Sequence, residues 1–446
     1  MSSLSSRREF IRTATVTGLG AVAAGPVLSQ EKSPNERVQF ACIGVGGKGD
    51  SDSSDAGRLG TVVAICDVDD GTLNKAAQKW PNAKKYNDYR KMLDEMHKEI
   101  DAVIVSTPDH NHGPAAAMAM NMGKHAFCQK PLTHSLWEAR ELANLARKMK
   151  VATQMGNQGT ADSGMRKNAY LVRSGVLGKV SEVHVWTNRP IWPQGGSRPT
   201  PAPVPETLHW TEWIGPAPDR PYAPGAYHTF AWRGWWDFGT GALGDMACHT
   251  MNLPFMGLDM RNPLSVLAHT SGHNKDSYPT WSTIEYEFGP NANRPGFKMF
   301  WYDGGKLPDP KLFKGGKFED LVIDGKLPSS GSLIVGDKDQ LYTPGDYGGG
   351  GRFIHSDPSP VAFPESPGHF EEFIRACKGG EPAMSNFPNY AVPLTETVLL
   401  GNLAVWADGK KIEWDARNLK AKNAPEVDIV IHPRLQHGYS LTMGRK

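Results

Sequence analysis

The segment from Val38 to Gly49 constrains the chain more than any other. Val38-Gln39-Phe40-Ala41-Cys42-Ile43 reads as a short buried strand running straight into Gly44-Val45-Gly46-Gly47-Lys48-Gly49, a Gly-x-Gly-x-x-Gly turn. In such a turn Gly44 makes the tight bend and Gly46 lets backbone approach a pyrophosphate. Gly49 lets the next helix pack closely on the strand, its N-terminal amides aimed at the phosphates. A chain with 48 glycines meets this triplet easily by chance, so the context decides. A second apolar run, Thr61 to Cys66, ends in Asp67, where an acidic side chain would meet a ribose 2′-hydroxyl. A carboxylate there repels a 2′-phosphate, so NAD(H) is expected rather than NADP(H).

Beyond Asp67 strand and helix patterns alternate. Helices are expected at 71–79, 88–98, 114–122 and 135–149, and strands at 84–86, 101–107, 124–128 and 151–155. The run 101–107 is continuously apolar, as in a strand buried on both faces of a parallel sheet. It ends in a polar loop, Pro108-Asp109-His110-Asn111-His112, at the sheet edge where ligands collect. Candidate cofactor contacts are therefore Thr107, Pro108, His110 and Asn111, with Gln129, Lys130 and Asn157 at later strand ends. They join Gly44, Val45, Gly46, Gly47, Lys48, Gly49 and Asp67. The alternation predicts an α/β fold whose first unit, 36–160, is a doubly wound Rossmann domain.

The pattern changes after about residue 165. Residues 179–188 alternate as a strand with one exposed face, Val183, Val185 and Thr187 sharing a side. Strand-like runs follow at 264–270, 280–288, 297–302 and 332–335. They predict a C-terminal α+β domain over 161–446 with a large, mostly antiparallel open sheet. Residues 345–351 read as a flexible glycine loop, and 370–376 and 394–406 as helices that return to the first domain.

Residues 1–30 read as a leader. Arg7-Arg8 followed by Phe10 and Ile11, then a moderately apolar run from Thr13 to Ala24, match a twin-arginine export signal. The run is too short and too rich in Gly, Ala and Thr for a membrane span. An exported, periplasmic protein that engages the twin-arginine machinery is expected, with no stable membrane span. That route carries folded proteins to a compartment with little free dinucleotide, so a tightly held, self-regenerated cofactor is expected.

A net charge of +2 leaves no electrostatic footprint for nucleic acid. The five cysteines lack close pairs, against both a disulfide framework and a zinc site. Cys42 and Cys66 fall in buried strands, and Cys248 is read as packing rather than as a nucleophile.

Three signals carry chemistry. Lys130, in Gln129-Lys130-Pro131 at a strand end, is aimed into the crevice by a proline that fixes the backbone, a cis bond being one way to do so. Aimed so, its ammonium can hydrogen-bond a substrate hydroxyl; the plainer use is a solvated lysine. Asp245 and His249 lie on one face of a helix opened by a glycine-rich turn. A histidine oriented by a carboxylate is a natural acid/base near neutral pH; half of a metal site and a surface contact are the alternatives. Trp186, Trp192, Trp210, Trp213, Trp232, Trp235 and Trp236 supply packing, one or two of them a platform for a sugar ring. Asn188, Arg189, His209 and His228 are the polar groups near them.

These motifs, in this order, resemble the Gfo/Idh/MocA oxidoreductase superfamily, the group of glucose–fructose oxidoreductase and inositol dehydrogenase. The resemblance covers nearly all of the chain after the leader. It is strongest to the exported branch, through Trp213 to Pro218 and the Gly-Asp-x-x-x-His helix. It implies an NAD(H)-dependent enzyme passing a hydride between a sugar, glycoside or cyclitol carbon and the nicotinamide. Lys130, Asp245 and His249 would be the catalytic residues, with no metal, and a homo-oligomer would form through the open sheet face. The family's usual Glu-Lys-Pro is Gln129-Lys130-Pro131 here, which removes a carboxylate. A redox-neutral glycosidase or lyase that oxidises, eliminates and re-reduces is the alternative, and a non-catalytic sugar-binding protein a third.

Overall fold

Six short strands build the first layer. β1 (Gln39–Ile43), β2 (Thr61–Cys66), β3 (Lys84–Tyr86), β4 (Ala102–Val105), β5 (His125–Cys128) and β6 (Thr153–Met155) pair in parallel in the order β3-β2-β1-β4-β5-β6. The computed structural model describes residues 37–442 except 314, 316–317 and 319–325, and the leader expected at 1–30 lies outside the described residues. The central strands show no polar alternation because both faces are covered. The order reverses between β1 and β4, which opens a crevice beyond their carboxyl ends.

Helices α1 (Lys48–Leu59), α2 (Asp70–Lys79), α3 (Tyr89–Met96), α4 (Asp109–Asn121) and α5 (Leu136–Met149) connect these strands. Local chemistry starts most of them. Asp69 and Asp88 accept the Thr72 and Arg90 N–H at the heads of α2 and α3. Ser135 and Glu138 form a reciprocal capping box on α5. Helix α4 corrects the expected loop at 108–112: Asp109 to His112 are its first turn, and Pro114 sits inside it rather than starting it. Proline is commonest at a helix's first position, which made it a misleading start signal.

After α6 (Ser163–Arg173) the chain forms β7 (Val180–Trp186), α7 (Trp210–Ile214), α8 (Gly241–Thr250) and α9 (Asn252–Leu258). Then follow β8 (Ser265–Thr270), β9 (Ser282–Phe288), β10 (Phe297–Tyr302), β11 (Gly331–Gly336), β12 (Gln340–Pro344) and β13 (Arg352–Phe353). With β14 (Ile412–Asp415) and β15 (Lys420–Ala421) they make a nine-stranded sheet in the order β13-β12-β11-β7-β10-β9-β8-β14-β15. Only the β7–β10 pair is parallel. Strand β9 alternates as a half-buried strand should, Ile284, Tyr286 and Phe288 inward and Glu285 and Glu287 outward. Strand β7 does not keep the expected exposed face. His184 and Trp186 are buried too, Trp186 beneath Phe313, Phe318 and Tyr342.

The chain then returns. Phe370 and Phe373 of α10 (His369–Cys377) pack on Phe127 and Phe40 of the first sheet, with the Phe127 and Phe370 rings stacked at 4.5 Å. Helix α11 (Val392–Ala407) is apolar almost all round and lies against α5, α8 and β8, as a helix without a polar face must. No helix among the described residues is long and apolar enough to cross a membrane.

Candidate active site

The β1–α1 turn is shaped by contacts that a side chain would break. Gly44 has φ +77°, and a Cβ there would lie 2.6 Å from the Ser106 carbonyl oxygen. A Cβ on Gly49 would lie 2.0 Å from the Gly44 oxygen, so the third glycine does bring helix and strand together. A cleft of about 640 Å³ opens above the turn, lined by Gly44, Gly46, Gly47, Lys48, Asp67, Thr107, Pro108, Asn111, Gln129 and Lys130. The Asp67 carboxylate accepts the N–H of Val45 at 2.9 Å and of Asp69 at 3.0 Å. Those two bonds pin it at the end of β2 and leave oxygen lone pairs for a ribose. A dinucleotide fits this set: backbone amides at a helix start, an acidic group one strand over, and a buried Asn111 Oδ1 without a protein donor.

Four expected cofactor contacts do not line the cleft: Val45 and Gly49 are buried in the turn and at the start of α1, and His110 and Asn157 lie elsewhere. His110 lines no part of the cleft; the first turn of α4 drives it into the packing between domains. Its Nδ1 meets the Phe238 carbonyl at 3.2 Å, its Nε2 meets the Asn111 amide at 3.0 Å, and Trp213 and Phe238 flank the ring. Burial pushes it down to about 3, so it is neutral. Asn157 is fully buried and bonded to Ser385, because the turn after β6 rolls it inward and presents Gln158 to the cleft instead.

The glutamine of Gln129-Lys130-Pro131 has a structural cause. Its Nε2 donates to buried Asp52 at 2.8 Å, and Asp52 also takes Ser106 Oγ at 2.7 Å and Lys48 Nζ at 2.6 Å. A glutamate at 129 would set two carboxylates against each other. The Lys130–Pro131 bond is cis, and the His112 ring sits between the carbonyls of Pro131 and Thr107, a ring nitrogen 2.8 Å from each, with one N–H to donate to one of them. That buried histidine fixes the loop that presents Lys130.

Lys130, Asp245 and His249 meet in the cleft. Lys130 Nζ donates to the Asp245 carbonyl at 2.5 Å and to its carboxylate at 3.1 Å. The same carboxylate pairs with Arg233 at 3.2 Å and Arg189 at 3.4 Å. Burial pushes the Asp245 carboxyl up, but Lys130, Arg233 and Arg189 outweigh that and hold it down at about 2. Asp245 is thus bonded to cations, and the expected carboxylate–imidazole bond is not formed: His249 Nδ1 is buried without a partner. Burial first, then Lys130, push His249 well below the ordinary histidine value, so it stands neutral and able to accept a proton. The neighbouring Cys248 thiol is pushed up to about 12 by burial, which leaves it unreactive.

Of the tryptophans, Trp213 and Trp232 line the cleft, joined by Ile191, Phe230 and Tyr347; Trp186 and Trp236 are core. Arg189 and His228 line it as well, while Asn188 and His209 do not. Tyr347 comes from the glycine loop after β12 and sets its ring edge-on to His249 at 4.9 Å. Arg233 and Tyr347 carried no spacing signal: one sits in a tryptophan-rich run, the other in a loop whose glycines implied only flexibility.

Residues 38–157 match the model of an oxidoreductase family with an NAD-binding Rossmann fold, and residues 162–293 match the family's C-terminal alpha/beta domain. The chain is 30% identical to the inositol 2-dehydrogenase of Salmonella typhimurium over 125 residues, 28% of this chain and 37% of that protein. It is 29% identical to a glycosyl hydrolase family 109 protein of Shewanella pealeana over 205 residues, 39% of this chain and 44% of that one. The matches therefore span 37% and 44% of these curated relatives' lengths. The WlbA dehydrogenase of Bordetella pertussis, solved with NADH and UDP-GlcNAcA, shares the fold, with TM-score 0.61 and 15% identity over 85% of this chain and 99% of that one. The aldose-aldose oxidoreductase of Caulobacter crescentus superposes with TM-score 0.57 and 13% identity, over 85% of this chain and 100% of that one.

Proposed function

Because this chain belongs to the Gfo/Idh/MocA oxidoreductase family, we propose that it oxidises or reduces a hydroxyl-bearing carbon of a sugar, glycoside or cyclitol. The observation that carries this reading is one cleft lined by the glycine turn, Asp67, Lys130 and a neutral, partner-free His249. Bound NAD(H) supplies the hydride acceptor or donor. His249 takes the hydroxyl proton at Nε2, and Lys130 hydrogen-bonds the reacting oxygen and stabilises charge developing on it. Asp245 holds Lys130 and the two arginines in place. Tyr347 and Phe230 help to close the substrate end against water.

A second reading is favoured by the stretch similar to the glycosyl hydrolase family 109 protein. Oxidation of one ring carbon acidifies the neighbouring C–H, and His249 or a water removes that proton. The glycosidic oxygen leaves with the bonding electrons, water adds to the double bond, and the electrons first removed return to the ring. Turnover is then hydrolysis without net redox. It suits a protein exported folded through Arg7-Arg8 with its cofactor tightly held. The outward face of the second sheet, with Phe300, Glu285 and Lys298, is a suitable contact for another copy of the chain.

The test is a panel of sugars, cyclitols and aryl glycosides given to the cofactor-loaded protein, with nicotinamide absorbance and aglycone release read together. An absorbance change that His249→Ala abolishes while dinucleotide stays bound is expected for the first reading. Aglycone release without lasting absorbance change favours the second. Neither signal on any compound, with cofactor bound, would reject both.

A further inference from the structure

The substrate end of the cleft carries more positive charge than the protein neutralises. Lys130, Arg189 and Arg233 converge on one carboxylate, Asp245, at 3.1, 3.4 and 3.2 Å. Their side chains are only 16%, 19% and 22% exposed, so solvent screens them poorly. The other titratable groups nearby do not close the balance. His134 and His249 are pushed below the ordinary histidine value by burial, and His228 pairs with Asp69. Asp109 is buried and bonded to Thr240 Oγ1 at 2.6 Å rather than to a cation. Counting Asp109 as ionised still leaves three cations against two carboxylates.

The two most deeply buried arginines outside the cleft are each matched by acids. Buried Arg220 is met by two carboxylates, Asp237 and Asp276, and buried Arg166 by Glu372 at 2.6 Å. Uncompensated charge in a poorly solvated place is costly, so a purely structural cluster would carry a further acid. Spare donors alone do not single out the cleft arginines, since buried Arg220 also leaves Nε and Nη1 without a partner, but theirs lie on the cleft. Arg189 Nε is buried without a hydrogen bond, its 3.4 Å approach to Asp245 being an ion pair only. The described bonds of Arg233 use Nε and Nη1, to Asp245 and the Phe230 carbonyl, and that of Arg189 uses Nη1, to Asn188. The Nη2 group of each has no protein acceptor among the described residues. Arg233 is also held in plane, its guanidinium 4.3 Å from the Trp232 ring and 4.5 Å from Phe230.

Two preset guanidinium groups with spare donors, beside an apolar wall of Ile191, Phe230 and Trp232, suit a planar anion attached to a ring. We infer that the substrate is a carboxylated sugar, a uronic acid or its glycoside, whose carboxylate is gripped by Arg189 and Arg233 while Lys130 and His249 face the reacting carbon. This rests on the reading that the cleft takes a sugar.

Calorimetric titration of the full, NAD-loaded chain tests it without needing turnover. The probes are glucuronate and galacturonate, against glucose, galactose, glucose 6-sulfate and glucose 6-phosphate. Uronates are expected to bind at least about tenfold tighter than the neutral sugars, with an affinity that falls as salt rises. Arg189→Gln and Arg233→Gln are each expected to cost uronate binding about tenfold more than they cost neutral-sugar binding, so the uronate-to-neutral affinity ratio is the readout. Arg233→Lys should recover only part of it, since an ammonium cannot grip bidentately. Equal binding of neutral sugars and uronates by the wild type overturns the inference, and that comparison stands even if a variant fails to fold. Preference for the sulfate or phosphate ester overturns the carboxylate assignment. Uronate binding without redox or cleavage would sink the proposed reaction and keep this inference; turnover of neutral sugars alone would do the reverse.

Discussion

Replacing Asp245 with asparagine removes the one carboxylate shared by Lys130, Arg189 and Arg233, and its cost can be worked from the site. Holding that carboxyl at about 2 instead of its ordinary 3.8 corresponds to about 2.4 kcal/mol, at about 1.36 kcal/mol per decade. Removing one partner of a buried ion pair costs about 3–5 kcal/mol when the other charges stay buried. Asparagine keeps a carbonyl acceptor for Lys130, so a loss of about 2.5–4 kcal/mol at pH 7 is expected. The sign with pH follows from a lowered carboxyl. The stabilisation is fully present above about pH 4 and fades as pH falls toward about 2, with about half remaining at pH 3. Urea unfolding of the wild type and Asp245→Asn at pH 7, 5 and 3 reads this directly, with m-values checked for two-state behaviour. The gap between the two proteins should be constant from pH 7 to 5 and narrower at pH 3. A loss under about 0.5 kcal/mol at pH 7, the scale of an ordinary surface substitution, or a gap untouched by pH, would refute the reasoning.

Gln129→Glu sets a second carboxylate against buried Asp52, whose oxygen now takes the amide at 2.8 Å. Like charge raises the folded-state value of the new carboxyl, so its destabilisation should grow above about pH 4 and reach about 1–3 kcal/mol by pH 7, read as a falling melting temperature. Gly44→Ala forces a side chain to φ +77° and to 2.6 Å from the Ser106 oxygen; dinucleotide affinity should drop at least about tenfold in a fluorescence titration, as the turn shifts. Because His249 is held below the ordinary histidine value of 6.5, the acid limb of kcat/KM should fall below pH 6.5, and its loss in His249→Gln would assign it.

What could be read from the sequence was what backbone chemistry writes locally. β1, β2 and β4 announced themselves as mainly apolar runs, and Gly44, Gly49 and Asp67 as a turn and its acidic partner. Lys130 and the Asp245–His249 helix were legible because each motif sits on one short element. What failed depended on long-range packing. His110 and Asn157 lie within a residue or two of true cleft residues, but a helix that starts at Asp109 and a turn that rolls Asn157 toward Ser385 send both inward. Asp245 has the spacing to orient His249, yet three cations from distant segments take its carboxylate. The two-residue strands β13 and β15 are too short for an alternation to show. Gln129 read only as a missing carboxylate until Asp52, 77 positions away, supplied the reason.

The central claim is a nicotinamide dinucleotide held between the Gly44–Gly49 turn and Lys130. The direct measurement is to purify the full chain without added cofactor, unfold it, and identify and quantify the released dinucleotide. The account predicts NAD(H), not NADP(H), close to one per chain and surviving gel filtration. A protein that releases no dinucleotide, and that also fails to bind added NAD in titration, would contradict it.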